Sequence, residues 1–328
     1  MKIENWKLKI RDLFRIEKKP HKGLLTVEWV ILGYWLMTLL FVLFTSTKLP
    51  NSEALIWGRV KVLAITLAMW GVYRMIPCRF IHLCRVVVQM ALLSWWYPDT
   101  YELNKILPNL DHLFASYEQQ LFHCHPALLF PQTITHPVFS ELMYLGYVSY
   151  FPLIALVAAF YFFWRYNEFN RVAFVILASF FIYYVIFVFL PVTGPQYYYG
   201  AAGLDQIAQG VFPNVSDYFL THDQPLPMPG YSDGFFYDCV ANAHATGERP
   251  TAAFPSSHVG ISTILLFLAW RAKNRLLFYV VLVLYILLCM STVYIRAHYA
   301  IDVIAGWVSG IALYFLLQAF WTFTKRQY

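Results

Sequence analysis

Long apolar segments constrain the fold of this chain more than any other feature. Eight of them approach the roughly 20 residues that an α-helix needs to cross a bilayer. Hydrophobic residues make up 59% of the 328 residues and charged residues only 13%, which argues against a soluble protein. The sequence therefore predicts an all-α, polytopic membrane helical bundle. The predicted spans lie near Leu24–Thr45, Val60–Ile76, Arg79–Trp96, Pro137–Trp164, Val172–Pro191, Val259–Trp270, Leu276–Tyr294 and Val303–Phe323.

Lysine and arginine residues cluster at one end of these spans. Short loops rich in these residues stay in the cytoplasm, and an even number of crossings puts every basic cluster and both termini there. The long segments near 97–136 and 192–255 are then non-cytoplasmic. This placement of charge favours a membrane surface over nucleic acid. The basic residues are Lys2, Lys7, Lys9, Arg11, Arg15, Lys18, Lys19 and Lys22, then Arg74, Arg79 and Arg85, Arg165 and Arg171, Arg271, Lys273 and Arg275, and Lys325 and Arg326.

Two of the five cysteines, Cys124 and Cys239, fall in the predicted outer segments. A shared non-cytoplasmic side permits a disulfide between them. Two unpaired thiols on the same side fit the sequence equally well, so the bond stays open.

A histidine follows a proline and two serines at the start of the sixth span, in Pro255-Ser256-Ser257-His258. The start of a helix attracts anions, because unpaired amides and the helix dipole favour negative charge there. Ser256 and Ser257 are therefore candidate phosphate-binding residues. The alternative is a serine N-cap followed by an incidental interfacial histidine.

A second histidine, His298, stands four residues before Asp302, between the last two spans. On a helix this spacing puts both side chains on one face, where the carboxylate can hold one ring nitrogen and make the other a better nucleophile. An interfacial ion pair without a catalytic role is the alternative. The predicted topology favours catalysis, because it brings His258 and His298 to the same outer surface.

The two segments resemble the second and third motifs of the type 2 phosphatidic acid phosphatase superfamily, P-S-G-H and S-R-x5-H-x3-D. The third reads Ser291-Thr292-x5-His298-x3-Asp302 in this chain. The resemblance implies a six-helix phosphatase-type core (77–328). Before it, the charge pattern predicts a basic cytoplasmic segment (1–23), and the apolar runs predict two accessory spans (24–76). The resemblance also implies that His298 attacks phosphorus, Asp302 orients it and His258 protonates the leaving oxygen, without a metal or other cofactor.

Two positions depart from the family motifs. Thr292 stands where the third motif usually has arginine, and Asn242 stands where the first has lysine. Some cation must still balance a bound phosphate, and Arg249 and Arg296 are the candidates on the predicted outer side. Arg249 is the better candidate, because a helix would turn Arg296 away from His298. Two further candidates, Gln196 and Tyr197, lie in an aromatic stretch that could cover the pocket and exclude water.

The variant motifs resemble the branch that contains fungal inositol phosphorylceramide synthase and its bacterial relatives. This implies a membrane lipid phosphotransferase that moves a headgroup such as phosphoinositol to a lipid alcohol such as ceramide, with bilayer lipids as its partners. A lipid phosphatase acting on phosphatidate is the alternative, because water can replace the alcohol. A transporter is a third interpretation, since Glu28, Arg59 and Lys61 lie in or near apolar spans.

Overall fold

The structure is a computed structural model that describes residues 10–18 and 20–326, so Lys2, Lys7, Lys9 and Lys19 lie outside the described residues. Within these ranges the chain forms fifteen α-helices and no β-strand, which confirms the all-α prediction. The helices are α1 (Ile10–Leu13), α2 (Thr26–Thr45), α3 (Ser52–Met75), α4 (Arg79–Asn104), α5 (Asp111–Phe122), α6 (Pro126–Thr133), α7 (Pro137–Val148), α8 (Tyr150–Trp164), α9 (Tyr166–Phe189), α10 (Pro195–Ala202), α11 (Leu204–Ala208), α12 (Phe235–Gly247), α13 (Ser257–Arg271), α14 (Arg275–Tyr294) and α15 (Ala300–Arg326).

Six described helices are long and apolar enough to cross a membrane: α2, α3, α4, α9, α14 and Ala300–Thr324 of α15. A seventh crossing results if α7 and α8, bent by 49° relative to each other, form one span. The protein is therefore an integral membrane protein, with six or seven helices of spanning length in the described ranges instead of the eight predicted.

The eighth predicted span corresponds to α13, which has only 15 residues and falls short of spanning length by itself. Such a helix is about 22 Å long, against a hydrocarbon core of about 30 Å. Most of its side chains are buried by other parts of the protein. An apolar run records burial in protein as well as in lipid, so a crossing by α13 stays a prediction.

The chain divides into two compact units. The first comprises the residues up to Trp95 together with Ala158–Phe181. Within it the buried carboxylate of Glu28 accepts two hydrogen bonds from Arg85, at 2.9 Å from Nε and 2.5 Å from Nη2. Arg59 is also buried, and it donates to Thr38 and to the Leu55 carbonyl. These contacts give two of the three residues behind the transporter interpretation a structural role.

The second unit comprises Trp96–Val157 and the residues from Ile182 onward. In it α13 packs against α14 and α15, and α7 packs against α12 and α14. Glycines allow α13 and α15 to approach closely. A Cβ atom on Gly310 would lie 2.6 Å from the Gly260 carbonyl oxygen, and one on Gly306 would lie 2.7 Å from that of Ser256. The starts of α13 and α15 are joined by a 3.0 Å hydrogen bond from Ser256 N to the Asp302 carbonyl.

We predict that Gly310→Leu lowers the melting temperature of the detergent-solubilised protein, because the new side chain must separate α13 from α15. Overpacking of this kind costs about 1–3 kcal/mol of unfolding free energy. Gly71→Leu in α3 is the control, because a Cβ atom there meets nothing within 4 Å. Equal melting temperatures for the two variants would contradict the close contact.

Candidate active site

His298 lies in a turn between two helices. Helix α14 ends at Tyr294, Arg296 has a left-handed φ of 67°, and α15 begins only at Ala300. The prediction that His298 and Asp302 share one face of a helix is therefore wrong, because His298 precedes the helix. The turn nevertheless keeps the pair close, with 3.6 Å between His298 Nδ1 and Asp302 Oδ2.

A backbone carbonyl, and not Asp302, holds the ring of His298. Nδ1 lies 2.8 Å from the carbonyl oxygen of Ala253. A carbonyl oxygen can only accept a hydrogen bond, so Nδ1 carries a proton. In the neutral ring Nε2 then has a free lone pair and can act as a nucleophile.

Asp302 has a different main contact. Its Oδ2 accepts a 2.8 Å hydrogen bond from the backbone N–H of Tyr299 and so caps α15. Its Oδ1 is buried without a hydrogen-bond partner among the described residues. At 3.6 Å from Nδ1, the carboxylate is placed to stabilise a positively charged imidazole ring.

His258 faces His298 from the start of α13. Its Nδ1 lies 3.4 Å from Nε2 of His298. Because that Nε2 offers only a lone pair, Nδ1 of His258 is the donor in this contact. The ring of His258 packs against Tyr147 and Tyr150, which flank the bend between α7 and α8, at centroid distances of 4.8 and 4.3 Å. The structure thus brings His258, His298 and Asp302 together, and their chemical roles stay predictions.

Burial keeps His298 uncharged. The residue is only 3% exposed. Burial lowers its pKa to about 4, against the opposing effects of the Ala253 hydrogen bond and the negative charge of Glu248. His298 is therefore neutral at physiological pH.

The carboxylate of Asp111 accepts hydrogen bonds from three segments, one of which is the turn that carries His298. Its Oδ2 accepts from Asn109 Nδ2 (2.7 Å), Thr193 N (2.7 Å) and Thr193 Oγ1 (2.9 Å). Its Oδ1 accepts from Gly194 N (2.9 Å) and Tyr299 OH (3.0 Å). Asp111 is fully buried, so these five bonds replace its hydration.

The segment that Asp111 holds supports both sides of the histidine pair. The carbonyl of Val192 accepts from Ala253 N at 2.9 Å, and Gln196 N donates to the Arg296 carbonyl at 2.8 Å. Between them, Gly194 has a φ of 87°, and a Cβ atom there would lie 2.7 Å from the Ala297 carbonyl oxygen. Only glycine fits this conformation and this contact.

A second carboxyl group of α5, Glu118, contacts the start of α15. Its Oε2 accepts from Ile301 N at 3.1 Å, and burial raises its pKa to about 8. Asp111 and Glu118 are seven residues apart, two helical turns on one face of α5. That spacing is the signal in the sequence that could have identified their joint role.

The predicted serine ligands have distinct positions. Ser256 is fully buried, and its Oγ accepts from Val259 N at 3.3 Å, which makes it the N-cap of α13. Ser257 is partly exposed in the first turn. Phosphate binding by either residue stays a prediction.

The two predicted arginine ligands of phosphate differ in their contacts. Arg249 donates from Nη1 to the Glu248 carbonyl at 2.9 Å, and Nε of Arg296 is buried without a partner. Phosphate binding by either arginine stays a prediction. The sequence identified Arg249 and Arg296 only from their predicted side of the membrane, and that does not determine where their side chains point.

Gln196 and Tyr197 are buried in α10. Gln196 Nε2 donates to Glu248 Oε1 at 3.2 Å, which links it to the neighbourhood of His298. Glu248 was missed by sequence reasoning, because an acidic residue was not sought beside a phosphate site.

Cys124 and Cys239 are free thiols, so the disulfide that the sequence left open is not formed. A shared side of the membrane does not bring two Cα atoms within the roughly 7 Å that a disulfide requires.

Comparison with known proteins adds a family match. The family model described as "PAP2 superfamily" matches residues 112–316, more than half of the chain, including both histidines and Asp302. No curated protein gives a significant match. Among solved structures, the chain is similar to a transmembrane PAP2 type phosphatidylglycerolphosphate phosphatase from Bacillus subtilis. The identity is 16% and the TM-score 0.35, and the match covers 72% of this chain and 94% of that one.

We predict an unusually acidic lower limit for activity. Protonation of His298 removes its nucleophilic lone pair, and its pKa is lowered from 6.5 to about 4. The acid limb of kcat/KM should therefore lie near pH 4, with little loss between roughly pH 7 and pH 5. The measurement is kcat/KM against pH, with the melting temperature followed in parallel. A limb centred near 6.5 would contradict the buried, neutral ring.

We also predict that Asp111→Asn lowers both stability and activity, because an amide cannot accept from all the donors that face it. An unsatisfied buried donor costs about 1–3 kcal/mol, and displacement of the reacting group reduces turnover by roughly a hundredfold. Melting temperature and kcat are measured, with the exposed Asp205→Asn as control. Unchanged turnover in Asp111→Asn would show that the histidine turn does not depend on this carboxylate.

Proposed function

The chain belongs to the PAP2 superfamily, and we propose that it is a membrane lipid phosphotransferase that carries a phosphoryl headgroup on His298. The observation that carries this proposal is the contact between His298 and His258, with the Nδ1 proton of His298 held by Ala253. Family membership makes the chain a phosphoryl-transfer or hydrolysis enzyme of the membrane. The acceptor, either a lipid alcohol or water, is the finer part of the proposal.

In the first step, the lone pair of His298 Nε2 attacks phosphorus, and the bond from phosphorus to the leaving oxygen breaks. The resulting phosphohistidine carries a positive charge on its ring, because Nδ1 keeps its proton. Asp302 Oδ2, 3.6 Å from Nδ1, stabilises that charge. The carboxylate thus acts on the intermediate more than on the resting enzyme.

His258 is the acid and then the base. In the resting enzyme its Nδ1–H points at His298 Nε2. A substrate must enter between the two nitrogens, which leaves that proton directed at the oxygens on phosphorus. The negative charge of the bound phosphate favours the doubly protonated, cationic ring of His258, which donates its Nδ1 proton to the leaving oxygen and becomes neutral. The neutral ring later takes a proton from the incoming hydroxyl, as the second displacement regenerates His298.

Two observations support an alcohol as the acceptor. The motif variants, Thr292 above all, resemble the inositol phosphorylceramide synthase branch. The rings of Tyr147 and Tyr150 enclose His258, and an enclosed centre protects a phosphohistidine from water. With water as acceptor, the same steps would hydrolyse phosphatidate or a related lipid phosphate.

The proposed orientation puts the site on the non-cytoplasmic face and both termini in the cytoplasm. Helix α13 supports it, because His258 stands at one end and the basic turn of Arg271, Lys273 and Arg275 follows the other. Basic turns of this kind favour the cytoplasmic side. The site and the turn are therefore separated by the length of α13.

The test supplies the purified protein with labelled phosphatidate in one reaction and with labelled phosphatidylinositol plus ceramide in another. We expect a labelled ceramide product and a loss of at least about a thousandfold in His298→Ala. The exposed His222→Ala serves as the control.

Free phosphate from phosphatidate, without a ceramide product, would replace the transferase proposal by the phosphatase one. Activity retained in His298→Ala would overturn the phosphohistidine mechanism for both.

A further inference from the structure

An acidic side chain, Glu248, contacts a residue that hydrogen-bonds to the turn carrying His298. Glu248 follows the last turn of α12, and its backbone N–H donates to the His244 carbonyl. Its Oε1 accepts from Gln196 Nε2 at 3.2 Å and from Tyr97 OH at 3.5 Å. Gln196 also donates from its backbone N–H to the carbonyl of Arg296 at 2.8 Å, two residues before His298, so hydrogen bonds connect Glu248 to the turn that carries the nucleophile. The negative charge of Glu248 accordingly raises the pKa of His298.

A carboxylate at this position opposes phosphate binding, because like charges repel in a partly buried site. The mechanism above has no use for it. The neighbouring cation does not neutralise it either, since Arg249 donates to the backbone carbonyl of Glu248 and not to its side chain. The presence of this charge therefore needs a compensating contact with the substrate.

The free oxygen of Glu248 indicates the chemistry of that contact. Both hydrogen bonds to its side chain reach Oε1, and Oε2 receives none from the described residues. The residue is partly exposed. An ionised carboxylate oxygen only accepts hydrogen bonds. Gln196 and Tyr97 also fix which oxygen remains free.

We propose that Oε2 of Glu248 accepts a hydrogen bond from a hydroxyl group of a lipid substrate next to phosphorus, and so selects hydroxyl-bearing substrates over simple lipid phosphates. Repulsion weakens the binding of every phosphate, whereas the hydrogen bond compensates only for substrates with a hydroxyl. The inference deepens the proposed function and rests on His298 being the reacting centre. The hydroxyl comes either from a polyol headgroup or from the accepting alcohol.

Glu248→Gln is the discriminating variant. Gln196 and Tyr97 require an acceptor, so they orient the new amide with its oxygen at the Oε1 position. Its NH2 group then replaces the Oε2 acceptor by a donor. Glu102→Gln is the matched control, because Glu102 is ion-paired to Lys105 and the mechanism does not involve it.

Three reactions are measured in mixed micelles: hydrolysis of phosphatidate, which lacks a free headgroup hydroxyl, hydrolysis of phosphatidylglycerol phosphate, which has one, and transfer from phosphatidylinositol to ceramide. In Glu248→Gln, kcat/KM with hydroxyl-bearing substrates should fall roughly ten- to hundredfold. Phosphatidate hydrolysis should stay level or rise. Loss in both the second and third reactions identifies a headgroup hydroxyl, and loss in the third alone identifies the acceptor.

An equal loss of kcat/KM in all three reactions would overturn the inference, because Glu248 would then act through His298. No loss in any reaction would overturn it as well. A parent enzyme that hydrolyses but never transfers refutes only the transferase proposal, and the two hydrolysis reactions still decide the role of Glu248. A parent inactive on all three lipids overturns both proposals. Melting temperatures verify that the variants are folded.

Discussion

The candidate site depends on the buried carboxylate of Asp111, because any movement of this group would break hydrogen bonds that compensate its charge. Asp111 accepts five hydrogen bonds from the residues around it, and a carboxylate removed from water is tolerated only with such compensation. Its donors belong to the segment before α5, to the Thr193–Gly194 turn and, through Tyr299, to the turn that carries His298. Any displacement of one segment leaves the charge underbonded, so the three segments hold a common geometry.

The histidine pair is positioned by two separate devices. On one side, the Asp111 cluster fixes the Val192–Gln196 segment, whose backbone hydrogen bonds hold Ala253 and Arg296. On the other, glycine contacts between α13 and α15 set the distance between the helix that carries His258 and the helix that follows His298. The first acts through polar groups and the second through van der Waals contact, so a fault in one does not remove the other.

The sequence predicted the parts of the site that have a fixed spacing or a fixed side of the membrane. His258 and His298 could be brought together because the order of apolar runs returned both to one surface. The sequence did not predict features that depend on the direction of a side chain or of the backbone. These are the turn that places His298 before α15, the orientation of Arg249 and the position of Glu248. The eighth span stays a prediction for a related reason, since hydropathy does not distinguish burial in protein from burial in lipid.

The Ala253 carbonyl has a consequence for genetics. It fixes which nitrogen of His298 is free, and every amino acid supplies the same carbonyl at that position. A scan of single substitutions would identify the histidines and the acids but pass over this acceptor, because no codon deletes it. A side-chain substitution at position 253 therefore leaves the tautomer of His298 unchanged. Only substitutions that move the backbone can change it, such as those at Ala252, whose φ is 68°. Selection at this position would therefore preserve the backbone conformation, and the identity of the side chain could vary.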